Sequence, residues 1–222
     1  MYQIIIDGPS GSGKTTIAKK VSEILGVLFF DSDILKTAIA VASLKKGVNP
    51  TDERGIKDMI KRNKFELQLT HQNSVTVSLN GELIQPEQLK NKLVAANLYN
   101  ISKLKCVDEY ILATEFELSK MKTIIIASIN ATKLFPDAKF KFFLTSDSTT
   151  RARRKLDDLH NRGIYNISYD QMLEDVINSD KFMFNGEASG IEINKDAKVI
   201  DTTLKTQIEV ANEIVNFIRK NS

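Results

Sequence analysis

Apolar positions along the chain follow two periods. Short apolar runs at Tyr2–Ile6, Val27–Phe30, Ile124–Ala127, Phe140–Thr145 and Ala197–Ile200 read as strands. The near-continuous ones have the character of strands buried on both faces of a parallel sheet. Between them the spacing turns helical. Ile17, Val21, Ile24 and Leu25 share one face of a helix that opens near Lys14 and stops at Gly26. Further helices are predicted over Ile34–Leu44 and over Val107–Lys120, the latter with Val107, Tyr110, Ile111 and Leu118 as apolar positions. Ser168-x-x-Gln171 is a cap for a helix running to Asp180, and Thr206-x-x-Glu209 opens a last one bearing Ile208, Ile214, Val215 and Ile218.

One stretch breaks this alternation. From Asn49 to Leu69 the chain is polar, with two or three weak helical signals; Ser74–Leu79 then alternates and runs into Asn80-Gly81, a strong hairpin signal. The pattern predicts one α/β domain over 1–222. Its core is made of 1–63, 105–145 and 196–222, an inserted lobe with its own small sheet covers 64–104, and a lid region covers 146–195. No internal repeat or low-complexity segment interrupts it.

The first strand breaks into Gly8-Pro9-Ser10-Gly11-Ser12-Gly13-Lys14-Thr15-Thr16. Gly8, Gly13, Lys14 and Thr15 fill the defining positions of G-x-x-x-x-G-K-[ST], between a strand and a helix as that loop requires. Successive backbone N–H groups there curl around a polyphosphate, with the helix dipole behind them. Lys14 would reach the β- and γ-phosphates of ATP, and the Thr15 hydroxyl would ligate Mg²⁺. A second candidate group, Asp31-Ser32-Asp33, follows the second strand, where ligands of parallel α/β sheets gather; helix capping is its equally good alternative. A third is the charged stretch Ser148–Gly163, with Arg151, Arg153, Arg154 and Arg162. Three arginines in four residues suit a lid closing over phosphates, while Asp157 and Asp158 at helical spacing allow a surface helix laced with ion pairs.

Charge and composition narrow the partners. The net charge is +3 and the acids and bases are interleaved, so a modest positive bias answers to anionic nucleotides without a nucleic-acid surface. Cys106 is the single cysteine, which excludes an internal disulfide and reads as a buried apolar residue. His71 and His160 stand alone, with no metal-site spacing anywhere. No apolar run approaches the roughly 20 residues that span a bilayer, and the first strand is too short for a signal peptide. These features predict a cytoplasmic monomer without nucleic-acid or membrane partners.

Several of these landmarks together resemble the bacterial cytidylate kinase family, over almost the full length. Ile6-Asp-Gly-Pro-Ser-Gly-Ser-Gly-Lys-Thr-Thr16 is similar to that family's opening, and Leu79-Asn-Gly-Glu82 to a marker in its acceptor lobe. Phe135-Pro-Asp-Ala138, Phe143-Leu-Thr145 and Arg151-Ala-Arg-Arg154 resemble its strand-and-lid signature, and Ile200-Asp-Thr-Thr203 its closing strand. The resemblance implies a P-loop nucleoside-monophosphate kinase fold: a parallel five-stranded sheet flanked by helices, with an inserted acceptor lobe and a lid. It also implies Mg²⁺-dependent transfer of the ATP γ-phosphoryl group to CMP or dCMP. Gly8–Thr16 and Arg153 would then hold ATP, with Lys14, Arg151 and Arg154 as catalytic residues. Asp31, Ser32, Lys36, Thr37 and Asp180 would lie on the acceptor side.

Departures from the family pattern cluster on that acceptor side. Asp31-Ser-Asp-Ile-Leu-Lys-Thr-Ala38 has Thr37 where the family has arginine, and Ala127-Ser-Ile-Asn-Ala131 lacks an arginine and its neighbouring aspartate. Val107-Asp108 reverses a charge, and Ser179-Asp180, Met183 and Gly186 stand where an arginine–aspartate cluster is expected. Each lost hydrogen bond to a charged group removes about 1.5–3 kcal/mol, so inefficient phosphorylation of CMP is predicted. An ATP-binding protein of this fold, without kinase activity and acting through a partner, is the alternative these losses leave open.

Overall fold

The computed structural model describes residues 2–69, 75–84, 92–129, 131–161, 163, 165–185 and 193–222. Expectations that fall on His71, Ser74, Asn130, Arg162, Gly186 and the glycine-containing stretch after it lie outside these residues, as does the side chain of Met183. The chain forms two compact units, Met1–Phe29 with Thr123–Ser222, and Phe30–Lys122.

The first unit holds β1 (Gln3–Asp7), α1 (Lys14–Leu25), β2 (Leu28–Phe29), β6 (Ile124–Ala127), α6 (Ala131–Leu134), β7 (Phe140–Thr145), α7 (Ser148–Asn161), α8 (Tyr169–Asn185), β8 (Lys198–Asp201) and α9 (Gln207–Lys220). Its five strands form one parallel sheet in the order β2-β6-β1-β7-β8. β1 is central, with Ile4 in register with Ile125 on one side and Phe140 on the other. Helices cover both faces, which is why Ile4, Ile5, Ile6 and Ile124–Ile126 are all fully buried and why these runs show no alternation. Ile17, Ala18 and Val21 of α1 and Val210, Ile214, Val215 and Ile218 of α9 pack in one cluster with Ile4, Ile6, Phe142 and Leu144. Each large apolar side chain buried this way contributes roughly 1.5–3 kcal/mol.

Local signals set the ends of these helices. Gly26 takes the left-handed conformation that closes α1, its N–H donating to Ser22 O at 2.8 Å. Thr206 and Glu209 form the reciprocal capping box that starts α9. Ser168 and Gln171 do the same before α8, with Ser168 N–H donating to Gln171 Oε1 and Gln171 N–H to Ser168 Oγ.

The second unit holds α2 (Ser32–Lys46), α3 (Glu53–Arg62), β3 (Phe65–Leu69), β4 (Val75–Leu79), β5 (Glu82–Leu83), α4 (Lys92–Ile101) and α5 (Lys105–Met121). Its strands form a small antiparallel sheet, β3-β4-β5. Asn80 and Gly81, with φ of 53° and 85°, make the tight turn between β4 and β5 that the hairpin signal predicts. Val75, Val77 and Leu79 face inward, and α2 packs against both α4 and β4 through a buried run from Ala38 to Ala42. Among the described residues, no helix is long and apolar enough to cross a membrane.

Candidate functional site

In the first unit the site is built where β1 ends. Asp7, the last residue of that strand, is buried: Oδ1 accepts the Gly8 N–H at 2.7 Å, and Oδ2 accepts from the Thr132 N–H and hydroxyl at 3.1 and 2.8 Å. One carboxylate thus ties the start of the loop to α6. Gly8 has φ 139°, and a Cβ there would lie 2.1 Å from Leu144 O, so only glycine lets the chain turn off the sheet at this point.

The rest of the loop is held from behind. Ser12 is buried, and its carbonyl accepts from the Thr202 hydroxyl at 3.2 Å. Arg154 donates to Thr202 Oγ1 and to Thr202 O at 3.0 and 2.7 Å, so the residue after β8 joins the loop to α7. Arg151, 3% exposed, donates to Ser146 O, to Ser10 O at 3.3 Å and to both carboxylate oxygens of Asp180. Each of its three guanidinium nitrogens is engaged by protein groups, and Asp180 of α8 is its ionic partner. Arg153, by contrast, is exposed.

The loop and the start of α1 carry unspent hydrogen-bonding capacity. α1 starts at Gly13 with no side-chain cap, and its first-turn N–H groups have no acceptor within the helix. The Ser12 hydroxyl is buried without a hydrogen-bond partner among the described residues. Lys14 Nζ donates to Pro9 O at 2.9 Å, and burial lowers its pKa to about 8, with the Asp7 carboxylate opposing the shift and Arg151 adding to it. Thr15 and Thr16 are exposed. Orphan donors, a helix N-terminus and a partly desolvated ammonium converge as an anion of several oxygens requires. Among the described residues no cluster of three His, Cys, Asp or Glu side chains could hold a metal by itself. A divalent cation here would need the Thr15 hydroxyl together with oxygens of a bound polyphosphate, and the exposed hydroxyl fits that role.

In the second unit, Asp31 caps α2, its carboxylate accepting the Asp33 N–H at 3.0 Å. Ser32 is the first residue of that helix, and the Thr37 hydroxyl donates to Asp33 O at 2.6 Å. Capping therefore accounts for the local geometry of Asp31. Lys36, on the same helix, exerts its charge on Asp108 and Glu115 of α5. Glu115 is 3% exposed, and burial pushes its pKa up to about 7, Lys36 opposing and Asp108 adding. Burial likewise raises Asp108.

Sequence reasoning singled out neither Asp7, Thr132 and Thr202 nor the Glu115 carboxylate. A charge directly after three isoleucines marks Asp7, a glutamate on the apolar face of a helix marks Glu115, and Thr202 lies within the closing motif Ile200-Asp-Thr-Thr203; Thr132 leaves no local trace.

A glycine loop leading from the central strand of a five-stranded parallel sheet into an uncapped helix defines the P-loop nucleoside-monophosphate kinase fold. A solved structure of shikimate kinase from Bacteroides thetaiotaomicron shares the fold, at TM-score 0.53 and 13% identity over 98% of each chain. A family model for cytidylate kinase matches residues 4–220, and the chain belongs to the cytidylate kinase family. It is 30% identical to cytidylate kinase of Caldanaerobacter subterraneus subsp. tengcongensis, over 99% of this chain and 96% of that one. It is also 30% identical to that of Clostridioides difficile, over 97% of each chain.

Proposed function

We propose that the chain is a Mg²⁺-dependent kinase that transfers the γ-phosphoryl group of ATP to CMP or dCMP. The observation that carries this reading is the loop from Gly8 to Thr16, which leads into a helix with no side-chain cap while its Ser10 and Ser12 carbonyls are tied down by Arg151 and Thr202. In-line phosphoryl transfer needs positioning and charge neutralisation rather than a covalent catalyst. The N–H groups of the loop and the Ser12 hydroxyl bind the donor phosphates. Lys14 leaves Pro9 O for the β- and γ-oxygens, where its ammonium meets developing negative charge. Thr15 holds Mg²⁺, which supplies further charge neutralisation at the phosphates.

Arg151 acts through Ser10 as a positioning residue, and Arg154 does so through Thr202. Arg153, exposed on the same turn of α7, is the arginine of this trio available to ATP itself, and α7 with α8 forms the lid of this reading. On the acceptor side Lys36 supplies the positive charge, beside Asp31, Ser32 and Thr37 at the start of α2. Asp180 contributes by holding Arg151.

The test is ADP release from ATP and Mg²⁺ across CMP, dCMP, UMP, AMP and GMP. Turnover that depends on CMP or dCMP is expected, and Lys14→Ala should lower it on the order of 10²–10³-fold, as the loss of one preorganised charge-stabilising donor does. ATP binding with no acceptor-dependent ADP release from the wild-type chain would overturn the kinase reading. Full activity in Lys14→Ala would overturn the donor site.

A further inference from the structure

Glu115 is the buried charged group that this reaction leaves without a task. It sits on α5 with Asp108 two turns earlier, a spacing that puts both carboxyls on one face of the helix. α2 packs against that helix and brings Lys36 to it. Glu115 is 3% exposed, and burial is the largest influence on its carboxyl, pushing its pKa up to about 7. α3 also packs on α5, yet its charges serve the far end: Glu53 accepts the Cys106 N–H at 2.9 Å, and Lys57 acts on Cys106. The charged groups that act on Glu115 are thus Lys36 from α2 and Asp108 from its own helix. The arginines of this unit, Arg54 and Arg62, are both exposed on α3.

A lone lysine flanked by two carboxyls is an uneven match for a phosphate. With both acids ionised the trio carries one net negative charge and repels an incoming dianion; with Glu115 neutral the trio is balanced, and Lys36 is freed from one competitor. Burial disfavours the charged form, which lets a carboxyl stay neutral.

Resting on the reading of Lys36 as an acceptor-side cation, we propose that Glu115 is a specificity-determining residue of the acceptor site. With Asp108 it sets the charge that the acceptor's phosphate meets, so that nucleoside monophosphates bind tightly only while Glu115 is protonated. The residue acts on acceptor affinity and leaves the donor site and the chemical step alone.

The experiment compares wild type, Glu115→Gln and Asp108→Asn between pH 6.5 and 8.5. It measures the KM for CMP, the KM for ATP and kcat, with calorimetric titration of CMP at both ends of the range. CMP's own phosphate titrates identically against all three proteins, so only the difference between profiles matters. From pH 6.5 to 8.5 the wild-type KM and Kd for CMP should rise about five- to tenfold more than those of Glu115→Gln, as expected for one charge acting on a dianion at high effective dielectric. Asp108→Asn should bind CMP more tightly than wild type while keeping the pH dependence. The ATP profile should be common to all three. Parallel CMP profiles for wild type and Glu115→Gln, or a shift confined to kcat, would overturn the proposal. If CMP binds with the expected pH difference but no ADP is released, the kinase reading fails and this inference stands; if CMP does not bind at either pH, both fall.

Discussion

Lys14 donates to a carbonyl of its own loop, and burial costs it part of its charge before any ligand arrives. A polyphosphate favours the ammonium, so nucleotide binding must pull the pKa back up from about 8. The sign follows directly. Below pH 8 the free protein already carries the charge; as pH rises through 8 it loses it, and binding then has to take up a proton. ATP should therefore bind several-fold more weakly at pH 9 than at pH 7. Calorimetry near pH 8 in buffers of different ionisation enthalpy should show proton uptake in the wild type and none in Lys14→Ala. Flat affinity without proton uptake would remove Lys14 from the phosphates. The arginines at this scale answer to geometry. Arg151 and Asp180 are 29 residues apart, and Asp7 and Thr132 are 125 apart, so no periodicity links them in the chain. The loop motif was legible because its chemistry is contiguous; its supports were not, because they come from the ends of other elements.

Among the elements, α7 and α8 are joined by a small apolar cluster of Ala152, Met172 and Val176, and by the Arg151–Asp180 pair. Removing the carboxylate leaves a buried guanidinium without its counter-charge. Asp180→Ala should lower stability by about 3–5 kcal/mol, and Asp180→Asn, which keeps an acceptor, by clearly less. Thermal unfolding of the two variants checks this; equal melting temperatures for Asp180→Ala and wild type would show that the pair holds nothing. If the pair also steadies Ser10, the KM for ATP rises in step. The sequence pattern placed the helices at the sheet well, because each lays one apolar stripe on a single core. It did worse in the second unit. β3 alternates weakly as Phe-Glu-Leu-Gln-Leu and its residues are only part-buried. α4 escaped notice because its apolar residues are not confined to one face: Val94 and Ile101 are buried while Leu93 and Tyr99 are exposed. The weak signals before it resolve into α3, capped by Asp52 and anchored by Ile56, Met59 and Ile60.

For the molecule as a whole, family membership and the parallel sheet rest on features spread from one end of the chain to the other. The second unit is threaded between Phe29 and Thr123, so β2 and β6 can pair only across the whole of it. β2 is two residues long and lies at the sheet edge. Its amides should exchange with solvent far faster than those of β1, which is paired on both sides, when hydrogen exchange is followed by mass spectrometry or NMR. Equal protection of Leu28–Phe29 and Ile4–Ile6 would contradict this account of the sheet.

The central place of β1 has a further consequence during synthesis. Ile4, Ile5 and Ile6 are made well before their partners in β6 and β7, which follow only after Lys122 and Lys139. At roughly 5–20 residues per second, the central strand waits on the order of 6–25 s for a neighbour. A newborn chain paused in that interval presents the unpaired run Ile4–Ile6 to its surroundings. Chaperone capture and aggregation compete for it there, long before any nucleotide can.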